Sequence, residues 1–139
     1  MCLCALLFLP TGLTASLHIP ALTVIAHPNE QSADILRKNL RAIFGMRMQT
    51  WSNGRTVTVY VLDDSDMIHQ HFCKEILGML PYRLRRNWDR LFFSGTGKAP
   101  ILVDSAEEMR NKVANTPGAI GYLPEELIDE SVSVLRVEY

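Results

Sequence analysis

The first 29 residues lack any Asp, Glu, Lys or Arg, although the 139-residue chain carries 14 Lys and Arg and 15 Asp and Glu. An unbroken apolar run over residues 2–9 is followed by a proline, a glycine and small residues up to Ser16. This order is typical of the apolar and cleavage regions of a secretory signal peptide, although the basic residues that normally precede them are missing. We therefore expect residues 1–16 to be an atypical signal peptide and residues 17–139 to form one exported domain.

A membrane-spanning helix is the alternative interpretation of this uncharged start. Such a helix needs about 20 continuous apolar residues, and Pro10, Gly12 and Pro20 interrupt the run. The sequence thus favours a protein that is at most peripheral to a membrane.

Cysteine is scarce, and its positions exclude an internal disulfide in the mature chain. Cys2 and Cys4 would leave with the signal peptide, so only Cys73 remains. A lone cysteine in an amphipathic segment is typically a small buried hydrophobe. His69 and His71 are two residues apart and face different sides of a helix, which does not suit a metal site. We expect no metal and no cofactor.

The chain also lacks the motifs of several function classes. Its net charge of −1 provides no general attraction for nucleic acid. No serine lies in a Gly-x-Ser-x-Gly setting, and the glycine-rich segment at residues 94–97 does not have the spacing of a nucleotide-binding P-loop. These absences favour a binding protein over an enzyme.

Apolar residues alternate between strand and helix periods along the chain. Ser105 with Glu108 forms a capping box at the start of one predicted helix. Predicted strands cover residues 21–26, 56–62, 101–103, 119–123 and 132–137, and predicted helices cover residues 32–44, 66–77, 81–91, 105–115 and 124–129. Alternating elements of this kind favour an α/β domain with a largely parallel or mixed sheet.

Four segments in a fixed order carry a family resemblance: residues 43–45, Trp51 with residues 53–54, Trp88 with residues 92–95, and residues 117–122. Together they resemble the phosphate ABC-transporter substrate-binding proteins, closest to short stand-alone members, over about residues 21–137. The resemblance implies a single lobe of the type 2 periplasmic-binding-protein fold, with a mixed, mostly parallel sheet flanked by helices. It also implies a periplasmic protein that binds phosphate or another small anion, for transport or sensing, with a membrane permease or sensor protein as partner.

The resemblance places the anion at the strand-to-helix turn of residues 62–67. Ser65 offers a hydroxyl there, and helix amides attract anions. Asp63, Asp64 and Asp66 oppose an anion electrostatically, and the turn contains no arginine. The alternative interpretation is that Asp64 or Ser65 simply caps the helix.

Two further residues are candidates for ligand contact. Thr96, in the glycine-rich segment beside Lys98, offers a hydroxyl, and Tyr122 offers a ring and a hydroxyl at the end of a strand. The alternatives are a connector at Thr96 and structural packing around Tyr122. We also expect Trp51 and Trp88 to pack in the core.

One dense basic feature remains. Arg83, Arg86 and Arg90 share a helix face at steps of three and four residues, which suits either contact with an acidic partner or plain solvent exposure. An alternative function follows, that of a protein-interaction module of an envelope signalling system with no small ligand.

Overall fold

The structure is a computed structural model that describes residues 20–30, 32–95 and 98–139, together with Gly12 and His18. Apart from Gly12, the predicted signal peptide lies outside the described residues and stays a prediction. The same holds for Thr96 as a candidate ligand contact.

Six strands and four α-helices make up the described part of the chain. The strands are β1 (Leu22–Ala26), β2 (Asp34–Leu36), β3 (Thr58–Val61), β4 (Ile101–Leu102), β5 (Ala119–Pro124) and β6 (Ser133–Glu138). The α-helices are α1 (Arg37–Phe44), α2 (Met67–His71), α3 (Pro81–Ser94) and α4 (Ala106–Asn115); α2 continues as a π-helix (Phe72–Leu77), and a 3-10 turn spans Glu125–Leu127.

The strands form one mixed sheet in the order β2-β6-β1-β5-β3-β4. The pairs β2–β6, β5–β3 and β3–β4 are parallel, and β1 runs antiparallel to both of its neighbours, β5 and β6. The predicted α/β fold with a mixed, mostly parallel sheet is therefore confirmed.

The central strand β5 is buried along its whole length, so helices cover both of its faces. Successive side chains of a strand point to opposite faces. A Cβ on Gly121 would lie 2.9 Å from the Sδ atom of Met109 in α4, which shows that a glycine lets α4 approach this face closely. The next residue, Tyr122, stacks on Phe72 with ring centroids 3.9 Å apart. The α1 and α2 helices therefore pack on the opposite face, where Phe44 also contacts Phe72.

The following predicted helix ends, which are marked by a glycine, a proline and a capping box, are confirmed. Gly78 takes the left-handed conformation after the π-helix, and Pro81 opens the first turn of α3. The Ser105 hydroxyl accepts from the Glu108 amide at 3.1 Å, and the Glu108 carboxylate accepts from the Asp104 amide at 2.7 Å. Trp51 and Trp88 are buried, as predicted.

Residues 34–36 form a strand, so the prediction of a continuous helix from Ser32 was wrong there. Ile35 and Leu36 fit a helical period, but β2 pairs in parallel with β6, and the Arg136 amide donates to the Ala33 carbonyl at 2.8 Å. Strand pairing therefore uses backbone groups of β6 that would otherwise lie at the sheet edge. Only from Arg37 does the chain become helical.

Two other predicted helices differ in form. The predicted helix at residues 124–129 is only the 3-10 turn Glu125–Leu127, because β5 extends to Pro124. The predicted helix after β3 begins at Met67 and widens into the π-helix at Phe72. Within the described part of the chain, no helix combines the length and apolar character needed to cross a membrane.

We expect Gly118→Ala to destabilise the protein more than Gly54→Ala. Both glycines have positive φ, +80° and +83°, so alanine costs each site about 1–2 kcal/mol of backbone strain. At Gly118 a Cβ would also lie 2.2 Å from the Thr56 carbonyl oxygen, whereas Gly54 has open space around it. Urea unfolding of both variants measures the difference, and equal losses would contradict the close approach seen at Gly118.

Candidate functional site

The candidate site is the turn that joins β3 to α2. Because β3, β4 and β5 run parallel, their C-terminal ends meet at one edge of the sheet. Ligands of open α/β sheets commonly bind at such an edge. Leu62 is buried at the end of β3, and the next four residues turn the chain toward α2 at Met67.

Two of the three carboxylates of the turn, those of Asp63 and Asp66, already accept hydrogen bonds from nearby residues. The Asp63 carboxylate accepts from the Ser65 amide at 2.9 Å and from the Ser65 hydroxyl at 2.6 Å, and these bonds lower the Asp63 pKa. Asp66 accepts from the Ile68 amide at 2.8 Å. Asp66 is therefore the residue that caps α2, and the alternative prediction of Asp64 or Ser65 as the cap was wrong.

The third carboxylate of the turn, Asp64, is paired with an arginine from a different helix. Arg85 of α3 donates through Nε to Asp64 Oδ2 at 2.8 Å, and its guanidinium lies 5.0 Å from the centre of the Trp88 ring. The hydrogen bond to Asp64 raises the Arg85 pKa. Among the described residues, the terminal nitrogens of this guanidinium form no hydrogen bond. The fold thus supplies the arginine that the turn itself lacks.

Beneath the turn lies a buried hydrogen-bonded chain. The Leu62 amide donates to the Tyr122 hydroxyl at 2.9 Å, and this hydroxyl lies 2.6 Å from Nδ1 of His69. Both side chains are fully buried. Nδ1 of His69 is the hydrogen-bond acceptor within reach of the Tyr122 hydroxyl proton among the described residues, so we assign that proton to this bond and the histidine proton to Nε2. This chain ties Leu62, the residue that follows β3, to α2.

The other side of His69 faces Asp64 and Cys73. Its Nε2 lies 3.5 Å from Asp64 Oδ1 and 3.5 Å from Cys73 Sγ. The first contact is longer than a hydrogen bond, so Asp64 Oδ1 is a buried acceptor without a hydrogen-bond partner among the described residues. One carboxylate oxygen is held by Arg85, and the other is close enough to attract a proton on His69.

Burial keeps the core members of this group neutral. Desolvation lowers the pKa of His69, although the nearby Asp64 carboxylate acts in the opposite direction. Desolvation also raises the Tyr122 pKa well above its usual value and raises the pKa of Cys73 to about 12. Cys73 is thus a buried, protonated thiol, as the prediction of a small core residue required.

The predicted site residues fall into three groups. Ser65 and Asp64 lie in the turn, the first exposed and the second partly so. Tyr122 supports the turn from inside the core and does not present a surface at the strand end, because its hydroxyl is used by Leu62 and His69. Thr96 lies outside the described residues. Ligand contact by any of these four residues remains a prediction.

Sequence reasoning missed Arg85 and His69 as members of the site. Arg85 is separated from Asp64 by 21 residues and lies off the stripe formed by the other arginines of α3. The one feature near Arg85 in the sequence that distinguishes it is Trp88, three positions along the helix, on which its guanidinium can stack. His69 precedes Cys73 by four residues, a spacing that places both on one helix face but carries no information about Tyr122.

Searches with protein-family models and among curated protein sequences find no match. Solved structures do match. An ABC-type phosphate transport receptor from Vibrio cholerae superposes with a TM-score of 0.67 at 14% identity, over 85% of this chain and 46% of its own. A putative phosphate ABC transporter substrate-binding protein from Clostridium perfringens, with bound phosphate, has a TM-score of 0.67 at 19% identity, over 85% of this chain and 45% of its own. PstS from Borrelia burgdorferi has a TM-score of 0.61 at 20% identity, over 86% and 47%.

This chain has the fold of a periplasmic-binding-protein lobe. The predicted resemblance is thereby confirmed at the level of fold, and the matched structures are described as receptors or binding proteins. The chain spans less than half the length of the solved structures it matches.

We expect Tyr122→Phe to destabilise the protein by about 1–3 kcal/mol, because it leaves the buried Leu62 amide without its acceptor and His69 Nδ1 without its donor. Tyr60→Phe is the matched control, since its hydroxyl is only partly buried and bonds to Thr116 alone at 2.9 Å. Thermal unfolding compares the two variants. A loss no larger for Tyr122→Phe than for Tyr60→Phe would show that the buried chain does not stabilise the fold.

Stability should also fall as the solution is acidified, in part through His69. Its pKa is lowered in the folded state, so its contribution is complete above the unfolded value of about 6.5 and is lost below it. Below the unfolded pKa, the free energy of unfolding falls through His69 by at most about 1.4 kcal/mol per pH unit, until the pH reaches the pKa of His69 in the folded state. Urea midpoints between about pH 7.5 and pH 5 should therefore fall less for His69→Gln than for the parent, because the carboxylates titrate in both proteins. If the urea midpoint fell equally with pH in the two proteins, His69 would not contribute to the loss of stability on acidification.

Proposed function

We propose that this protein is an extracytoplasmic binding protein for phosphate or another small anion, bound at the turn between β3 and α2. The fold supports the proposal, since the matched protein from Clostridium perfringens holds phosphate in its crystal structure. The observation that carries it is the position of Arg85, which is held at the turn by Asp64 and whose terminal nitrogens form no hydrogen bond among the described residues.

The proposed site binds an anion by exchange of partners. Arg85 is held by Asp64 in the structure, and phosphate oxygens match the planar donors of a guanidinium as well as a carboxylate does. An anion would share or take over this arginine, and it would accept a hydrogen bond from the Ser65 hydroxyl in place of the one that this hydroxyl now donates to Asp63. The nearby carboxylates weaken such binding electrostatically. We therefore propose modest affinity and a preference for ligands that carry a proton to donate to Asp64.

The proposal includes export. The uncharged, apolar start of the sequence supports a signal peptide over residues 1–16 and a binding domain over residues 17–139. The proposed role is transport or sensing, in which the anion-loaded domain meets a membrane permease or sensor protein. No catalytic step is part of the proposal.

Three substitutions test the proposed site by calorimetric titration with inorganic phosphate and with sulfate. Arg85→Gln should weaken phosphate binding by about tenfold or more, as expected for loss of a hydrogen bond to a charged group. Ser65→Ala should weaken it by about two- to tenfold, as expected for one ordinary hydrogen bond. Asp64→Asn should strengthen sulfate binding, because it removes a competing negative charge.

Arg136→Gln is the matched control, because Arg136 forms a similar 2.9 Å ion pair with Asp34 near the opposite edge of the sheet. It should leave the affinity for phosphate unchanged. The proposal fails if the parent shows no saturable heat with either anion, or if Arg85→Gln and Arg136→Gln have equal effects.

A further inference from the structure

The outward side of α3 is basic, aromatic and exposed to solvent. Phe93 is 83% exposed and Tyr82 is 53% exposed, and the three arginines of the predicted stripe are exposed as well. We refer to these five residues as the α3 surface: Tyr82, Arg83, Arg86, Arg90 and Phe93. Burial of exposed aromatic surface against a partner is favourable, and clusters of exposed apolar side chains mark interaction sites.

Helical geometry makes the α3 surface continuous. Tyr82, Arg86, Arg90 and Phe93 follow one another at steps of four, four and three residues, so their side chains line one side of the helix. Leu84 and Trp88 are buried on the other side. One side of α3 therefore packs in the core, and the α3 surface on its other side faces solvent.

The arginines of the α3 surface have no ionic partner within the described part of the chain. Ion pairs are found there for Arg85, Arg110 and Arg136, and none is found for Arg83, Arg86 or Arg90. The last two lie on either side of a single carboxylate, Asp89, and are not within ion-pair distance of it. The surface thus keeps an excess of positive charge that the fold itself does not neutralise.

A cavity of about 230 Å³ adjoins the α3 surface, between α3 and the edge strand β4. Trp88, Phe92, Pro100 and Leu102 line much of it, and the charged Arg85 and Asp89 also line it. Phe92 is in edge-to-face contact with Phe93, with ring centroids 5.7 Å apart. β4 lies at the end of the strand order, so no further strand from the described residues covers this side. The cavity is lined mainly by apolar residues and is large enough to receive a side chain from outside.

We propose that the α3 surface is a docking site for a partner protein whose contact surface is rich in carboxylates. Arginine and aromatic residues are enriched at protein interfaces and carry much of their binding energy. A guanidinium pairs with a carboxylate through two parallel hydrogen bonds, so three unpaired arginines complement an acidic surface. Phe93 enters an apolar depression of the partner, and the cavity beside Phe92 receives an apolar side chain in return.

The pattern of charges favours a protein over an anionic membrane. Asp89 lies between Arg86 and Arg90 in sequence and is exposed, so a uniformly negative lipid surface would repel it. A protein can place a cation opposite Asp89 and carboxylates opposite the arginines. The proposal does not rest on anion binding, because none of the five residues of the α3 surface belongs to the proposed anion site; Arg85 lines only the adjoining cavity.

The first step of the test locates the partner. A photo-crosslinking amino acid replaces Phe93 in the full chain, expressed in its native cells, and cross-linked proteins are identified by mass spectrometry. Tyr139, 78% exposed and far from α3 in sequence, carries the crosslinker in the control. We expect one protein that is captured from position 93 only, through a segment rich in Asp and Glu.

The second step decides the chemistry with that purified protein. Arg86→Glu with Arg90→Glu should weaken its binding at least tenfold, and changing the captured acidic residues to Lys should restore binding of the double variant. Lys74→Glu with Lys112→Glu, an equal change of charge at other exposed positions, should leave binding unchanged. Circular dichroism checks that both double variants are folded.

Four results would overturn the proposal. They are equal capture from positions 93 and 139, binding that the arginine reversals do not alter, cross-links from position 93 only to a second copy of this chain, and cross-links to no protein combined with arginine-dependent binding to phosphatidylglycerol vesicles. The last result would assign the α3 surface to an anionic membrane instead.

Discussion

The Tyr122 hydroxyl is the hydrogen-bonding centre of this structure. It accepts from the Leu62 amide at the end of β3 and donates to His69 in α2, and both bonds are fully buried. A buried polar group without a partner is costly in free energy. These two hydrogen bonds therefore fix the end of β3, the turn and α2 relative to one another. The ring of the same residue stacks on Phe72. A single side chain of the central strand therefore serves the core through its ring and positions the surface turn through its hydroxyl.

This arrangement explains how an acidic turn fits the fold. Asp63 and Asp66 satisfy amides of the turn and of the helix start, and Asp64 is held by Arg85 from α3. The carboxylates thus replace contacts that a bound anion would make with the same donors. Under the proposed function, an anion would compete with Asp64 for Arg85.

Local chemistry in the sequence accounts for much of the fold. Gly78, Pro81 and the Ser105–Glu108 pair mark helix ends through interactions within a few residues, and the strands β1, β3, β5 and β6 follow from their β-branched or alternating patterns. Contacts between distant segments could not be predicted in this way. β2 depends on pairing with β6, Arg85 reaches Asp64 across 21 residues, and the His69–Tyr122 bond spans 53. The candidate turn was predicted from the sequence, but the partners that give it its chemistry were not.

The π-helix after α2 has a consequence for how the chain tolerates changes in length. Phe72, Cys73, Ile76 and Leu77 are all buried in this wider winding, and the left-handed Gly78 follows at once. Each residue of an α-helix turns the chain by about 100°, so one inserted or deleted residue would rotate Phe72 away from the ring of Tyr122. Related chains should therefore keep a constant number of residues in α2, which leads to Phe72, while insertions and deletions accumulate in the exposed loop around Gly54.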